Sequence, residues 1–225
     1  NSIINAMSFD LAQILQTVSV AAIPILFAIT LHEVAHGWVA RSCGDRTAEM
    51  LGRLSLNPLK HVDPVGTLLV PTLTLFFTGF LFGWAKPVPV NFNALRRPKQ
   101  DMILVAIAGP VSNLVMALFW ALVLKASLLL GAAPDNSVYF FLRMAEIGVF
   151  FNVLLAVFNF MPIPPLDGGR VLRGLVSEPL GKLLDRVEPF GLIIVVGLLY
   201  MGWLWALVEP LMAIIKSLIL SVVGL

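Results

Sequence analysis

Residues 11–41, LAQILQTVSVAAIPILFAITLHEVAHGWVAR, decide the fold. The stretch 11–31 carries no charge and is long enough to cross a bilayer. The apolar pattern then continues through HEVAH to Arg41, with Gly44 available as a stop. Two histidines and a glutamate inside such a helix are costly in lipid and mark a functional site. Composition agrees with a membrane setting. Of 225 residues, 59% are hydrophobic and 12% charged, and the mean hydropathy is +0.93. That charged fraction is about half the usual one. It is too small to clothe a soluble domain, so the outer surface faces lipid. Disorder, collagen and disulfide scaffolds are excluded. A net charge of +2 gives no reason to expect a nucleic-acid partner, and the lone Cys43 can neither form an internal disulfide nor build a thiolate metal site. No basic segment precedes the first apolar run, so no cleavable signal peptide is expected.

Outward from this stretch, residues 41–63 read as short strands and turns, and 65–85 are apolar but interrupted by Pro71, Gly79 and Gly83. WAKPVPVNF, 84–92, reads as an extended strand. Residues 102–124 and 138–160 predict two further spans, the second ending in the helix-breaking run MPIPPLDGG. Residues 168–187 read as a basic loop with a short helix. A fourth span is predicted over 190–208, with Glu209-Pro210 separating it from a final apolar stretch too short to cross alone without tilted neighbours. The expectation is an all-α polytopic membrane protein of about four to six transmembrane helices. It includes a re-entrant segment and a small membrane-associated β-strand region. The chain reads as one domain, residues 1–225, with its core over 10–175 and apolar C-terminal helices over 188–225.

His32-Glu33-Val34-Ala35-His36 matches H-E-x-x-H. On a helix, the i, i+4 spacing places both imidazoles on one face, where they can bind one Zn²⁺. Glu33 projects from the flank, where it can take a proton from a zinc-activated water. A catalytic zinc needs a third protein ligand, and His61 and the seven aspartates are the candidates. Asp167 stands out because it follows an uncharged stretch, 147–166, in a Pro/Gly-broken segment. Irregular backbone at membrane depth survives only where it is buried in protein or lines a wet cavity.

In order along the chain, HEVAH, AGPVSN and FNFMPIPPLDGG resemble the site-2 protease family of intramembrane zinc metalloproteases. The likeness extends over roughly residues 10–175, and the compact form without a PDZ insert is similar to small bacterial and archaeal members. The resemblance implies that His32, His36 and Asp167 bind one zinc and that Glu33 is the general base. It also implies that Asn159 helps hold the substrate carbonyl or oxyanion, and it matches Asn113 and Asn152 to asparagines less firmly tied to a role. Peptide-bond hydrolysis in or beside a locally unwound segment of a transmembrane protein substrate is then expected. The rival readings are a zinc-binding membrane transporter and an inactive protease-like scaffold. The nearly uncharged spans oppose the first, and the intact Glu33 opposes the second.

Two readings concern placement. If 65–85 crossed the bilayer, HEVAH and Asp167 would lie on opposite sides and could not share an ion. A re-entrant 65–85 also gathers the basic residues of 41–60, 86–99 and 170–186 on one side, with Arg143 on the other, as the positive-inside rule prefers. The expected orientation has the amino terminus outside and the zinc toward the cytoplasmic face. In the strand, Pro87 and Pro89 blunt one edge, while Val88 and Val90 address the other, which could pair with a sheet strand or an extended substrate. His61, beside Asp63-Pro64, reads as a hydrogen-bonded loop histidine or a pH- or substrate-linked gate.

Overall fold

The computed structural model describes residues 11–70, 73, 83 and 85–225, without the side chains of residues 11–17 and 68. Helix α1 runs Leu11–Ser42 as one element of 32 residues, so the H-E-x-x-H motif continues the first apolar run instead of starting a new helix. A short α2 (Thr47–Met50) follows, then α3 (Pro98–Leu129) and α4 (Val138–Asn159). After the proline-rich turn come α5 (Asp167–Leu175), α6 (Glu178–Val187), α7 (Gly191–Tyr200) and α8 (Trp203–Val222). Among the described residues, four helices are long and apolar enough to cross a membrane: α1 from Val18, α3, α4 and α8.

Helices α1, α3 and α4 pack on one another through small side chains. Ala28, Ala117, Ala121, Ala145 and Ala156 are all 0% exposed. Lipid tails are as apolar as leucine, so close van der Waals approach and interhelical hydrogen bonds must hold such helices together. α8 lies against α4 and α7 and remains largely exposed.

Two expectations need correction. The C-terminal break falls at Gly202, not at Glu209-Pro210. Gly202 has φ 75°, which a side chain would resist, whereas Pro210 is accommodated inside α8. The apolar run therefore divides into a 10-residue α7 and a 20-residue α8, and the tail expected to be too short belongs to a full-length span. Nor is any strand present among the described residues. Residues 41–63 form turns, α2 and a 3₁₀ turn at Pro58–Lys60. Residues 85–91 have no regular structure and bond to separate partners instead of a neighbouring strand. The Lys86 N–H donates to the His61 carbonyl (2.9 Å), and the N–H groups of Val88 and Asn91 donate to the carboxylates of Glu33 and Asp45 (2.7 Å each). Alternating prolines leave donors on one edge only, and the protein itself takes up that edge.

Most of 65–85, the expected re-entrant segment, lies outside the described residues. Its flanks are described. The Arg96 N–H donates to the Cys43 carbonyl (3.0 Å), and Asp45 bonds Asn91. The chain thus leaves the end of α1 and comes back to that same end before α3 begins.

Candidate metal centre

Three side chains from two elements converge on one point. His32 and His36 lie one turn apart on α1, and Asp167 is the first residue of α5. All three are buried, at 7–8% exposure. The two Nε2 atoms are 3.1 Å apart, and each is 3.2 Å from Asp167 Oδ2. Asp167 reaches this point because the turn after α4 reverses the chain; within it Leu166 N–H donates to the Ile163 carbonyl at 2.9 Å. An acidic residue in a first helical turn is also favoured by the helix dipole.

The hydrogen-bond network fixes which atoms carry protons. His36 Nδ1 lies 2.7 Å from the Val105 carbonyl, which can only accept, so Nδ1 carries the hydrogen. Asn113 Nδ2 donates to the Ala28 carbonyl and to Asn152 Oδ1, both at 3.0 Å, which turns Asn113 Oδ1 toward His32. His32 Nδ1 then donates to it at 2.7 Å. Asn152 is held in turn by its Nδ2–H to the Gly148 carbonyl (2.9 Å). In neutral imidazoles with Nδ1 protonated, both Nε2 atoms present lone pairs. They face Asp167 Oδ2, a buried oxygen without a hydrogen-bond partner among the described residues. Three acceptors at van der Waals contact repel one another unless a cation lies between them. Zinc held tetrahedrally at about 2.0–2.1 Å separates neighbouring ligand atoms by about 3.3 Å, close to the spacing here. Two imidazoles, a carboxylate and fixed Nδ1–H groups are the donor set of a catalytic zinc site.

Close approach is built in. A methyl group on Gly109 of α3 would come within 2.3 Å of His36 Nε2 and 2.6 Å of His32 Cε1. Glycine at this point of AGPVSN leaves the imidazoles their room. Glu33 points off the histidine face, and its Oε2 accepts the Val88 N–H at 2.7 Å.

The other sequence-predicted residues fall elsewhere. Asn113 and Asn152, both 0% exposed, lie behind His32 and are saturated by protein groups. Asn159 ends α4, half-buried, with Nδ2 donating to the Leu155 carbonyl at 3.0 Å. Val88 is buried against α1 and Val90 is half-buried. His61 is outside the metal cluster and 2% exposed; its Nε2–H donates to the Ser55 carbonyl at 2.9 Å. Two residues escaped the sequence reading. Arg53 and Asp45 secure the 85–91 segment, and only the density of turn residues around them hinted that loops would be pinned.

A profile for peptidase family M50 matches residues 126–202, a range that holds Asp167 but not the H-E-x-x-H helix. Comparisons with individual proteins extend over longer stretches of the chain. A Bacillus subtilis protein named "Putative zinc metalloprotease YwhC" is 40% identical over 177 residues, 76% of each chain. A Mycolicibacterium smegmatis protein named "Putative zinc metalloprotease Rip2" is 33% identical over 180 residues, 77% of this chain and 64% of its own. "Zinc metalloprotease MJ0392" of Methanocaldococcus jannaschii is 21% identical over 165 residues, 73% of this chain and 37% of its own. No solved structure matches. With a relative this similar along three quarters of both chains, and with the donor set of a catalytic zinc in place, the protein belongs to peptidase family M50, the site-2 protease family of zinc metalloproteases.

Proposed function

We propose that this protein hydrolyses a peptide bond in a locally unwound transmembrane segment of a membrane protein, with His32, His36 and Asp167 holding one zinc. The observation that carries the reading is the triangle of lone pairs at 3.1–3.2 Å, with both imidazole Nδ1–H groups already engaged. Bound zinc supplies a Lewis acid and lowers the pKa of a water molecule. The chain's own groups do the rest. Glu33 accepts a proton from the attacking water and passes it to the leaving amine. Its Oε2 is steadied by the Val88 N–H, and its other oxygen, Oε1, would take the proton. Asn113, backed by Asn152, orients His32, and Val105 orients His36. Asn159, which ends α4 just before the turn that leads to Asp167, would offer an amide N–H to the developing oxyanion. A helical substrate hides its peptide bonds, so it must unwind before one reaches the site.

The return of the chain to one end of α1 supports a 65–85 segment that does not cross the bilayer. The basic residues of 41–60, 86–99 and 170–186 then gather on one side, and the positive-inside rule favours an amino terminus outside and a zinc toward the cytoplasmic face. The testing experiment incubates the purified protein with synthetic transmembrane peptides, with and without a chelator, and assays zinc. One zinc per chain and chelator-sensitive cleavage are expected. Zinc uptake with no cleavage of any peptide would favour the metal-transport or scaffold readings.

A further inference from the structure

The segment Lys86–Val90 passes directly over the flank of α1 that carries Glu33. Glu33 and Gly37 share that flank, one turn apart. The Val88 N–H meets the Glu33 carboxylate at 2.7 Å, while its side chain rests on the bare surface of Gly37. A methyl group on Gly37 would come within 2.9 Å of Val88 Cγ1 and 2.4 Å of Leu54 Cδ2. Motif and segment are therefore built to fit each other. No regular structure holds the segment there, and the prolines on either side of Val88 remove the neighbouring donors.

Arg53 supplies the missing restraint. Its guanidinium donates from Nη2 to the carbonyls of Lys86 (2.8 Å) and Pro87 (3.2 Å), and from Nη1 to the Lys60 carbonyl (2.5 Å). Among the described residues it forms no ion pair; both Nη atoms are directed at backbone carbonyls, while the buried Nε has no hydrogen-bond partner. The fixed planar geometry lets one side chain tie two chain segments together, which a lysine's point charge cannot reproduce. The same junction is closed by the Lys86 N–H on the His61 carbonyl (2.9 Å). Two carbonyls just before Val88 are thus clamped, and with them the direction of the Val88 N–H.

We propose that Arg53 is a positioning residue for the peptidase reaction: by clamping the carbonyls of Lys86 and Pro87 it aims the Val88 N–H at Glu33 and sets the carboxylate for proton transfer. This rests on the assignment of Glu33 as general base. Misplacing a reacting group by about 1 Å costs on the order of 100-fold in rate. Replacing Arg53 should therefore lower kcat and leave KM and zinc content in place.

The test uses the full-length zinc-loaded protein in detergent, with a synthetic transmembrane peptide as probe. Arg53→Gln is expected to keep one zinc per chain, to hold KM and to lose about 10- to 100-fold in kcat. Arg53→Lys should fall between it and wild type. Val88→Pro removes the N–H while leaving an extended chain, and Arg53→Gln added to it should cost nothing further, because both act through one hydrogen bond. Additive losses would overturn the proposal, as would a raised KM at unchanged kcat, or zinc loss in both Arg53 variants. Backbone amide exchange gives a readout independent of turnover: residues 85–91 should exchange faster in Arg53→Gln while α1 and α4 do not. Unchanged exchange would overturn the clamp even if cleavage fell. If the wild-type protein cleaves nothing, the general-base assignment fails, and the exchange result alone decides whether Arg53 holds the segment.

Discussion

Glu33 and His32 are chain neighbours whose replacements should have opposite consequences. Glu33 bonds the Val88 N–H and lies off the face shared by the imidazoles, so Glu33→Gln should keep zinc and fold. Cleavage should fall by about 10²–10⁴, the usual loss when a general base is removed. Zinc loss in that variant would make Glu33 a structural group. Asn113 gives the complementary case. It touches no solvent, and its Oδ1 holds the His32 Nδ1–H at 2.7 Å. Asn113→Leu leaves His32 without that orientation, and zinc affinity should drop by about 10- to 100-fold, measured by competition with a chelating dye. Unaltered affinity would show that packing alone sets the imidazole. Asn159→Ala should keep zinc and lose roughly 10²–10³ in rate if its amide meets the oxyanion; normal turnover would remove it from the mechanism.

One element, the unpaired segment 85–91, is fastened at both ends, and its far end depends on Asp45. That carboxylate is 1% exposed and accepts from the Asn91 N–H (2.7 Å), the Thr47 N–H (2.9 Å) and the Thr47 hydroxyl. Burial pushes its pKa up, but the hydrogen bonds from Thr47 and Asn91 outweigh burial and hold it below the ordinary aspartate value. A carboxylate depressed in the folded state adds stability above its unfolded pKa, about 3.9, and loses it as pH falls through the folded value. The thermal-stability gap between wild type and Asp45→Asn should be constant from neutral pH to about 4 and shrink below that. A gap that widens on acidification would reverse the assignment. This segment also marks where the sequence stopped being legible. Apolar runs of the right length gave α1, α3 and α4, since each must satisfy its backbone internally, and the spacing of His32 and His36 gave one side of the metal site. Val88 reads as a strand residue because alternating prolines and valines favour extended chain. Its partner is a side chain 55 positions away, which no local pattern records. The C-terminal break was misplaced for a related reason: Pro210 is the stronger local signal, but neighbouring helices tolerate it, and the positive φ of Gly202 decides.

For the whole molecule, the metal couples elements far apart in sequence. Ligands from α1 and α5 meet only when α3 and α4 are packed between and behind them, so bound zinc stabilises the assembled bundle and not its parts. Stripping it with a chelator should lower the melting temperature, and readdition should restore it in proportion to the logarithm of free zinc. An unchanged melting temperature would show that the bundle forms without help from the site. Single cysteines placed at 46–60 and 86–99 in a Cys43→Ser background should react with an impermeant reagent from the same side of sealed vesicles. Opposite sides would mean that 65–85 crosses. The span between His36 and Asp167 also bears on how the enzyme is made. As the chain leaves the ribosome, the two imidazoles emerge early and the carboxylate late, after two intervening apolar helices have entered the bilayer. Until Asp167 arrives the nascent chain lacks the complete donor set proposed for zinc, so a site of that composition can form only after the intervening helices have been made.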